Sequence, residues 1–494
     1  MAKKKNSKNA KSAKNTKSAK KNVKKNVNRS AVQTGSGGRA AAPAAALRRP
    51  EKIPAADFAA STPGIMMVSM IAVIFFSELL FGLDASAQVG LFRGAFRFFD
   101  YVTIAVGIAF LAYEGKQGKL DLALWDLRGR QKEGGKPSLG VNAWIELFFG
   151  LFLLCVIIST IVNGLDGPAA FGLPVRYIGI FNVFAFFLIY MKVSRYIKTD
   201  LFRRIILIGY LVVADLIALT ALSNQYAGPI AAYQNKQGIS AIFAQFNHYG
   251  YFIGMAVMIG IGCFVYEHGR LAVTGAVSAL LNLIVLALNN TLGAQLAVAI
   301  CTVGMTVLIA VSDRENKPAF QKSIGTLGFL VLCVAAAVAA VPEVRTSVTT
   351  LFRDLGAILS GHSTGSEGTG RLMLWKEGVE YVRQKPLFGH GCERITLEMK
   401  ERLGAGDVHS EPLTYAIYYG VPAMIFYLAG MVMVAVRYFR SRKTLPLTSR
   451  IAFLAASAYF LSSFVGVAMF YTAPFFFVFM GMGASTGDGS KEAA

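Results

Sequence analysis

Two residues in one polar stretch have the type and placement for group-transfer chemistry, His409 and Arg371. His409-Ser410-Glu411-Pro412 stands where that stretch gives way to an apolar run. Ser410 is placed to cap a helix there, with Glu411 and Pro412 in its first turn, where an acid and a proline are both favoured. Beside the positive end of that helix a neutral imidazole able to accept a proton is favoured, with Glu411 the alternative base. Arg371 opens a second helical stretch, Arg371–Gln384, directly after the Gly/Ser/Thr run Gly361–Gly370. Free N–H groups at a helix start together with a guanidinium suit a phosphate or diphosphate.

Further polar residues fall at the ends of apolar runs: Arg176, Asn247-His248-Tyr249 and Asn289-Asn290-Thr291. With Arg371 and His409 they make a set of arginines, histidines and amides suited to an anionic, hydroxyl-rich ligand, diphosphate on arginine and sugar on amides. Asp215 and Glu78 lie deeper in apolar runs, where a charge is expensive and should face the bundle interior. No acidic pair flanks a run, Asp84 lacks a second nearby carboxylate, and His362, His390 and His409 lack metal-ligand spacing. Neither a Walker motif nor a dinucleotide fingerprint is present, so no metal or cofactor is expected.

The elements that position these residues follow from composition. Of 494 residues 54% are hydrophobic and 16% charged, and the mean hydropathy is +0.49, against roughly 25% charged in soluble domains. The net charge of +22 suggests a nucleic-acid partner only until it is divided. Residues 1–60 hold sixteen Lys/Arg and two acids, so +14 lies in a low-complexity tail read as disordered and cytoplasmic. Apolar runs near the ~20 residues needed to span a bilayer recur at 62–83, 99–115, 143–163, 171–192, 203–223, 246–267, 271–289, 292–312, 323–342, 412–436, 451–468 and 472–485. The reading is an all-α polytopic membrane protein of about twelve spans.

Charge supports one threading. Basic residues crowd the connections after the second, fourth, eighth and tenth spans (Lys116–Lys136, Lys192–Arg204, Arg314–Lys322, Arg437–Arg450), while the opposite connections hold few, Arg93, Arg97 and Lys236 among them. Both termini are therefore expected inside, the C-terminal tail being 486–494. Residues 343–411 form a long polar loop on the outer face, between spans 61–342 and 412–485, with nine Lys/Arg and ten Asp/Glu. Helices are expected in it at Arg371–Gln384 and Glu393–Leu403, and structured loops of this length usually carry function. Cys155, Cys263, Cys301 and Cys333 lie in apolar runs and Cys392 in the loop, with no pair placed for a disulfide framework.

The strings Gly370-Arg371-Leu372-Met373-Leu374-Trp375, Lys385-Pro386-Leu387-Phe388-Gly389-His390-Gly391, His409-Ser410-Glu411-Pro412-Leu413 and Tyr419-Gly420-Val421-Pro422-Ala423 resemble the O-antigen ligase/polymerase family. The resemblance is specific over 365–430. It implies a bacterial inner-membrane, metal-independent, inverting glycosyltransferase that moves a glycan from undecaprenyl diphosphate to a glycan, lipid or glycoprotein acceptor. It implies His409 as catalytic histidine and Arg371 as diphosphate-binding arginine. The family's second arginine, within Ser-Arg-Gly at a span start, is replaced by Leu292 in Thr291-Leu292-Gly293; Arg176 is the candidate substitute. The competing readings are a twelve-span transporter, with Asp126-Leu127-Arg128-Gly129-Arg130 as a basic loop motif, and a lipid-linked glycan flippase. A long loop after the ninth span and outside fits neither.

Overall fold

The computed structural model describes residues 59–87, 95–118, 140–173, 176–227, 239, 241–243, 246–313, 315–340, 342–362 and 370–485. The N-terminal tail to residue 58, Arg93, the basic stretch 119–136, Lys236, Arg314, residues 363–369 of the glycine-rich run and the tail 486–494 lie outside them. The side chains of Glu78 and Asp84 do too.

Among the described residues every regular element is a helix. That is what lipid requires of a backbone that must satisfy its own N–H and C=O groups. In chain order the helices are α1 (Thr62–Ala87), α2 (Ala95–Lys116), α3 (Val141–Asn163), the single turn α4 (Gly167–Phe171), α5 (Ile180–Tyr196), α6 (Asp200–Tyr226), α7 (Phe246–Tyr266), α8 (Gly269–Asn289) and α9 (Leu292–Ser312). Then come α10 (Lys317–Ala340), α11 (Pro342–Leu359), α12 (Arg371–Gln384), α13 (Thr396–Leu403), α14 (Glu411–Tyr419), α15 (Val421–Ser441), α16 (Leu447–Ser463) and α17 (Ala473–Ala484).

Each expected apolar run contains a helix. Eight of the described helices are long and apolar enough to cross a membrane: α2, α3, α6 to α10 and α15. Thr62–Ser77 of α1 and the whole of α17 are apolar but shorter, and α5 and α16 have 17 residues each.

Two expected spans are drawn differently. The fourth, expected at 171–192, begins only at Ile180, because α4 ends at Phe171 with Gly172 as its C-cap and α5 takes Gly179 as its N-cap. Arg176 therefore sits in a turn before α5 rather than at a span start. The tenth, expected as one helix at 412–436, breaks at Gly420, which has φ 94° and ψ 162°. The turn after α12 causes the break. His390 N donates to Ile417 O at 2.8 Å, Gly391 N to Tyr418 O at 2.9 Å and Val421 N to Pro386 O at 2.8 Å, so α14 ends on loop donors. A Cβ at Gly420 would lie 2.1 Å from Leu387 O, so glycine is required by both φ and space. The 21 residues of α15 reach about 30 Å without α14.

The long loop holds three helices rather than two before α14. α12 has the expected limits, α13 starts at Thr396 rather than 393, and α11 was not anticipated. Behind the loop α7 is buried along most of its length and packs on α6, α8, α9, α10 and α16. α7 and α8 meet through glycine, since a Cβ at Gly275 would fall 2.5 Å from the Cys263 Cβ, the small-residue contact that membrane helices favour. Asp215 of α6 faces this bundle and accepts from Ser278 Oγ at 2.7 Å and Asn282 Nδ2 at 2.6 Å, both on α8.

Candidate functional site

His409 lies two residues before α14 with φ 50°, a conformation rare for a non-glycine residue and frequent at working sites. Asp407 makes it possible. One carboxylate oxygen, Oδ1, accepts from His409 N at 2.7 Å and contacts His409 Nδ1 at 2.8 Å. The aspartate thus closes a side-chain turn onto the residue two ahead. An Nδ1–H given to this carboxylate leaves Nε2 as the acceptor nitrogen, the tautomer assigned from the hydrogen-bond pattern. The ring keeps 27% exposure, enough for a ligand to reach it. Ser410 takes the N-cap position, but its hydroxyl makes no capping bond.

Asp407 has a second partner. Its Oδ2 lies 3.2 Å from Arg176 Nη1, and Arg176 Nη2 lies 3.0 Å from Glu393 Oε2. The guanidinium also reaches Thr396 Oγ1 at 3.4 Å and Gly406 O at 3.3 Å. Glu393 is buried and takes a further bond from Tyr418 Oη at 3.2 Å. Burial alone would raise the Asp407 carboxyl, but the Arg176 charge and the His409 hydrogen bonds outweigh it and hold the group well below the usual carboxylate range. Arg176 was expected as a ligand-binding residue. The structure places it between two loop carboxylates, where it joins the turn before α5 to the loop.

Glu411 opens α14 and is 2% exposed. Its Oε1 accepts from Tyr427 Oη at 2.7 Å and Tyr415 Oη at 3.2 Å, while Oε2 has no hydrogen-bond partner among the described residues. Burial pushes this carboxyl up to about 7, against the Tyr427, Tyr415 and Tyr459 hydroxyls, which favour its charged form. A cavity of about 20 Å³, room for a water molecule, lies beside it, lined among others by Arg176, Glu393, Tyr415 and Tyr418.

His248, near the start of α7, is fully buried; its Nδ1 lies 3.0 Å from Tyr471 Oη and its Nε2 has no partner among the described residues. Asp407, Arg176 and His409 all lie near enough to act on this ring electrostatically, so these four residues form one cluster. Arg371, at the first position of α12 after Gly370 (φ 80°), acts electrostatically on Tyr251 together with Asp407 and Glu411. Arg371 Nε and Trp375 Nε1, one helical turn apart, are both buried without a hydrogen-bond partner among the described residues. Buried donors in this condition call for an explanation, and a ligand supplies one.

The two amides behave otherwise. Asn247 is half-buried, with Oδ1 at 3.5 Å from Thr291 Oγ1. Asn290 is exposed and holds the left-handed position (φ 59°) that ends α8, a conformation asparagine tolerates. The buried neighbour Asn289 instead ties the junction, giving Nδ2 to Ile239 O at 2.5 Å and Phe246 O at 2.8 Å.

The expected residues Arg176, His248, Arg371, His409 and Glu411 thus come together, while Asn247 and Asn290 serve the α7–α8–α9 junction. Asp407, Glu393, Trp375 and the tyrosines were missed. Asp407 was within reach, since an Asp two residues before a candidate base is a local pattern; Glu393 and the tyrosines converge only in three dimensions. Among the described residues no group of three or more His, Cys, Asp or Glu could hold a metal ion. The five cysteines are free.

A family model described as O-antigen ligase matches residues 277–428. That stretch contains Arg371, Trp375, Glu393, Asp407, His409 and Glu411, and bears out the resemblance carried by the loop motifs. No curated protein is significantly similar to the chain.

Proposed function

With residues 277–428 matching the O-antigen ligase family, we propose that this multi-pass membrane protein transfers a glycan from undecaprenyl diphosphate to an acceptor hydroxyl. The observation that carries the reading is the Asp407-oriented His409 in the segment that also supplies Arg371. The acceptor hydroxyl attacks the anomeric carbon on the face opposite the diphosphate, so the carbon inverts. His409 Nε2 takes the hydroxyl proton as the new C–O bond forms, and the diphosphate leaves with the electron pair of the broken bond.

Arg371, with the free N–H groups at the start of α12 and the Trp375 Nε1–H, meets the leaving charge. No metal is needed in this scheme. A positioned base contributes roughly 10²–10⁴-fold, so charge stabilisation of the diphosphate supplies much of the remainder. Asp407 is a positioning residue that fixes the ring and its tautomer, and Arg176 acts through Asp407. The site faces the outside of a bacterial inner membrane, with both termini in the cytoplasm.

The test is direct. Purified protein with a synthetic lipid-diphosphate glycan and an acceptor is expected to form product in EDTA, and to lose it in His409→Ala and Arg371→Ala. Loss on chelation, or full activity in either variant, counts against the scheme. Glycan movement across vesicles without bond formation replaces it with transport. Product length separates one transfer from chain extension.

A further inference from the structure

Among the described residues the long loop exposes apolar side chains at Met373, Val379 and Leu397, and at two further places that are each tied to the end of a span. The first is the turn Pro386–Gly391, where Leu387 is 61% and Phe388 45% exposed. Its level is fixed from two sides. Val421 N, at the start of α15, donates to Pro386 O at 2.8 Å, and Asn163 Nδ2, at the end of α3, donates to Gly389 O at 3.3 Å. Lys385 Nζ adds a bond to Asn163 Oδ1 at 3.4 Å. The turn therefore lies where two apolar spans end.

The second is α11, separated from α10 by Val341 alone. Proline has no N–H to continue α10, and Arg345 folds back onto its last carbonyls, Nε to Val338 O at 3.0 Å and Nη2 to Ala339 O at 2.6 Å. Phe352 is 68% and Leu359 79% exposed. With the half-buried Val348 and Leu351 they fall within about 100° of the helix circumference. Arg345, Thr346, Thr349, Arg353 and Asp354 occupy the rest.

Both span ends face one side. No described helix between α10 and α15 is apolar and long enough to cross, and residues 363–369 are too few to cover about 30 Å. The exposed apolar surface also runs on from the spans themselves, through Ile161 of α3, Val334 of α10 and Ile425 of α15. That continuity identifies the occupant as lipid.

We propose that the long loop is seated on the bilayer interface through Leu387 and Phe388 of the turn and through the Phe352/Leu359 face of α11. An amphipathic helix and an aromatic turn at this level bury their apolar side at the headgroup–acyl boundary. The proposal rests on the membrane placement and not on the transfer chemistry, and its test reads no activity.

Phe388→Cys, Phe352→Cys and, as a control on the polar face, Thr349→Cys are made in protein whose half-buried Cys155 and Cys333 are alanine. Each is labelled with an environment-sensitive fluorophore and placed in phosphatidylcholine nanodiscs. At 352 and 388 a doxyl group near the headgroup is expected to quench at least two-fold more than aqueous iodide, and at 349 the order is expected to reverse. Iodide quenching at 352 and 388 equal to that at 349 overturns the proposal. Protection of 352 and 388 from both quenchers, the outcome for a face covered by a second copy, overturns it as well. Lipid quenching at all three positions replaces a seated helix with an immersed one.

Discussion

Asparagine in place of Asp407 tests the site where its contacts converge. The carboxylate gives one oxygen to His409, at 2.7 Å from N and 2.8 Å from Nδ1, and the other to Arg176 at 3.2 Å. Asn has the same shape but one acceptor and one donor. If its oxygen stays with His409, its NH₂ is set against the Arg176 donors. If it turns over, the NH₂ meets His409 and pushes the proton to Nε2, leaving no base where the hydroxyl arrives. Losing one charge-assisted bond costs about 1.5–3 kcal/mol, or one to two decades of rate at 1.36 kcal/mol each. Losing the base outright costs roughly 10²–10⁴-fold. The two cases together span an expected fall in kcat of about 10–10⁴-fold, with the donor KM within about three-fold. The assay is glycan transfer from a lipid-diphosphate donor, read beside thermal unfolding and a pH–rate profile. Because Arg176 keeps Glu393, the fold is expected to survive. A kcat within about five-fold of wild type, or an unchanged pH–rate profile, refutes the positioning role.

Three further outcomes follow from the same contacts. Arg371→Lys is expected to restore part of the transfer lost in Arg371→Ala, because charge returns without the planar fork; equal rates in the two would mean that charge at this position is irrelevant. Glu411 has a folded-state pKa of about 7, above its usual 4.5, so its contribution to stability is present below 4.5 and lost as pH rises through 7. Glu411→Gln is therefore expected to gain up to about 3 kcal/mol over wild type above pH 7 and nothing at pH 4, and an unfolding-midpoint difference independent of pH contradicts this. Gly420→Ala, which drives a Cβ to 2.1 Å from Leu387 O, is expected to lower stability by roughly 2–5 kcal/mol; a thermal midpoint equal to wild type would sink the account of the break.

The parts of this architecture legible in sequence are those written in local pattern. α12 was legible to the residue because its apolar spacing follows directly on a glycine run, and the apolar runs could be counted because lipid permits little else. Gly420 was visible in the motif, but its effect was not, since the break depends on loop donors some thirty residues earlier that reach Ile417 and Tyr418. His409 and Arg371 were legible as types at helix starts. Arg176 was legible as a charge near the boundary but not as the clasp between Asp407 and Glu393, since its partners lie more than two hundred residues away. α11 escaped because its apolar residues are spread over one face of a helix rather than gathered in a run.

The break at Gly420 also decides which way α14 runs. α14 does not extend α15 outward but lies back against it, since Glu411 at the first position of α14 reaches Tyr427, six residues into α15, at 2.7 Å. For the proposed transfer, His409, two residues before α14, is thereby drawn in against the helix bundle, so the acceptor has to bring its hydroxyl in to it.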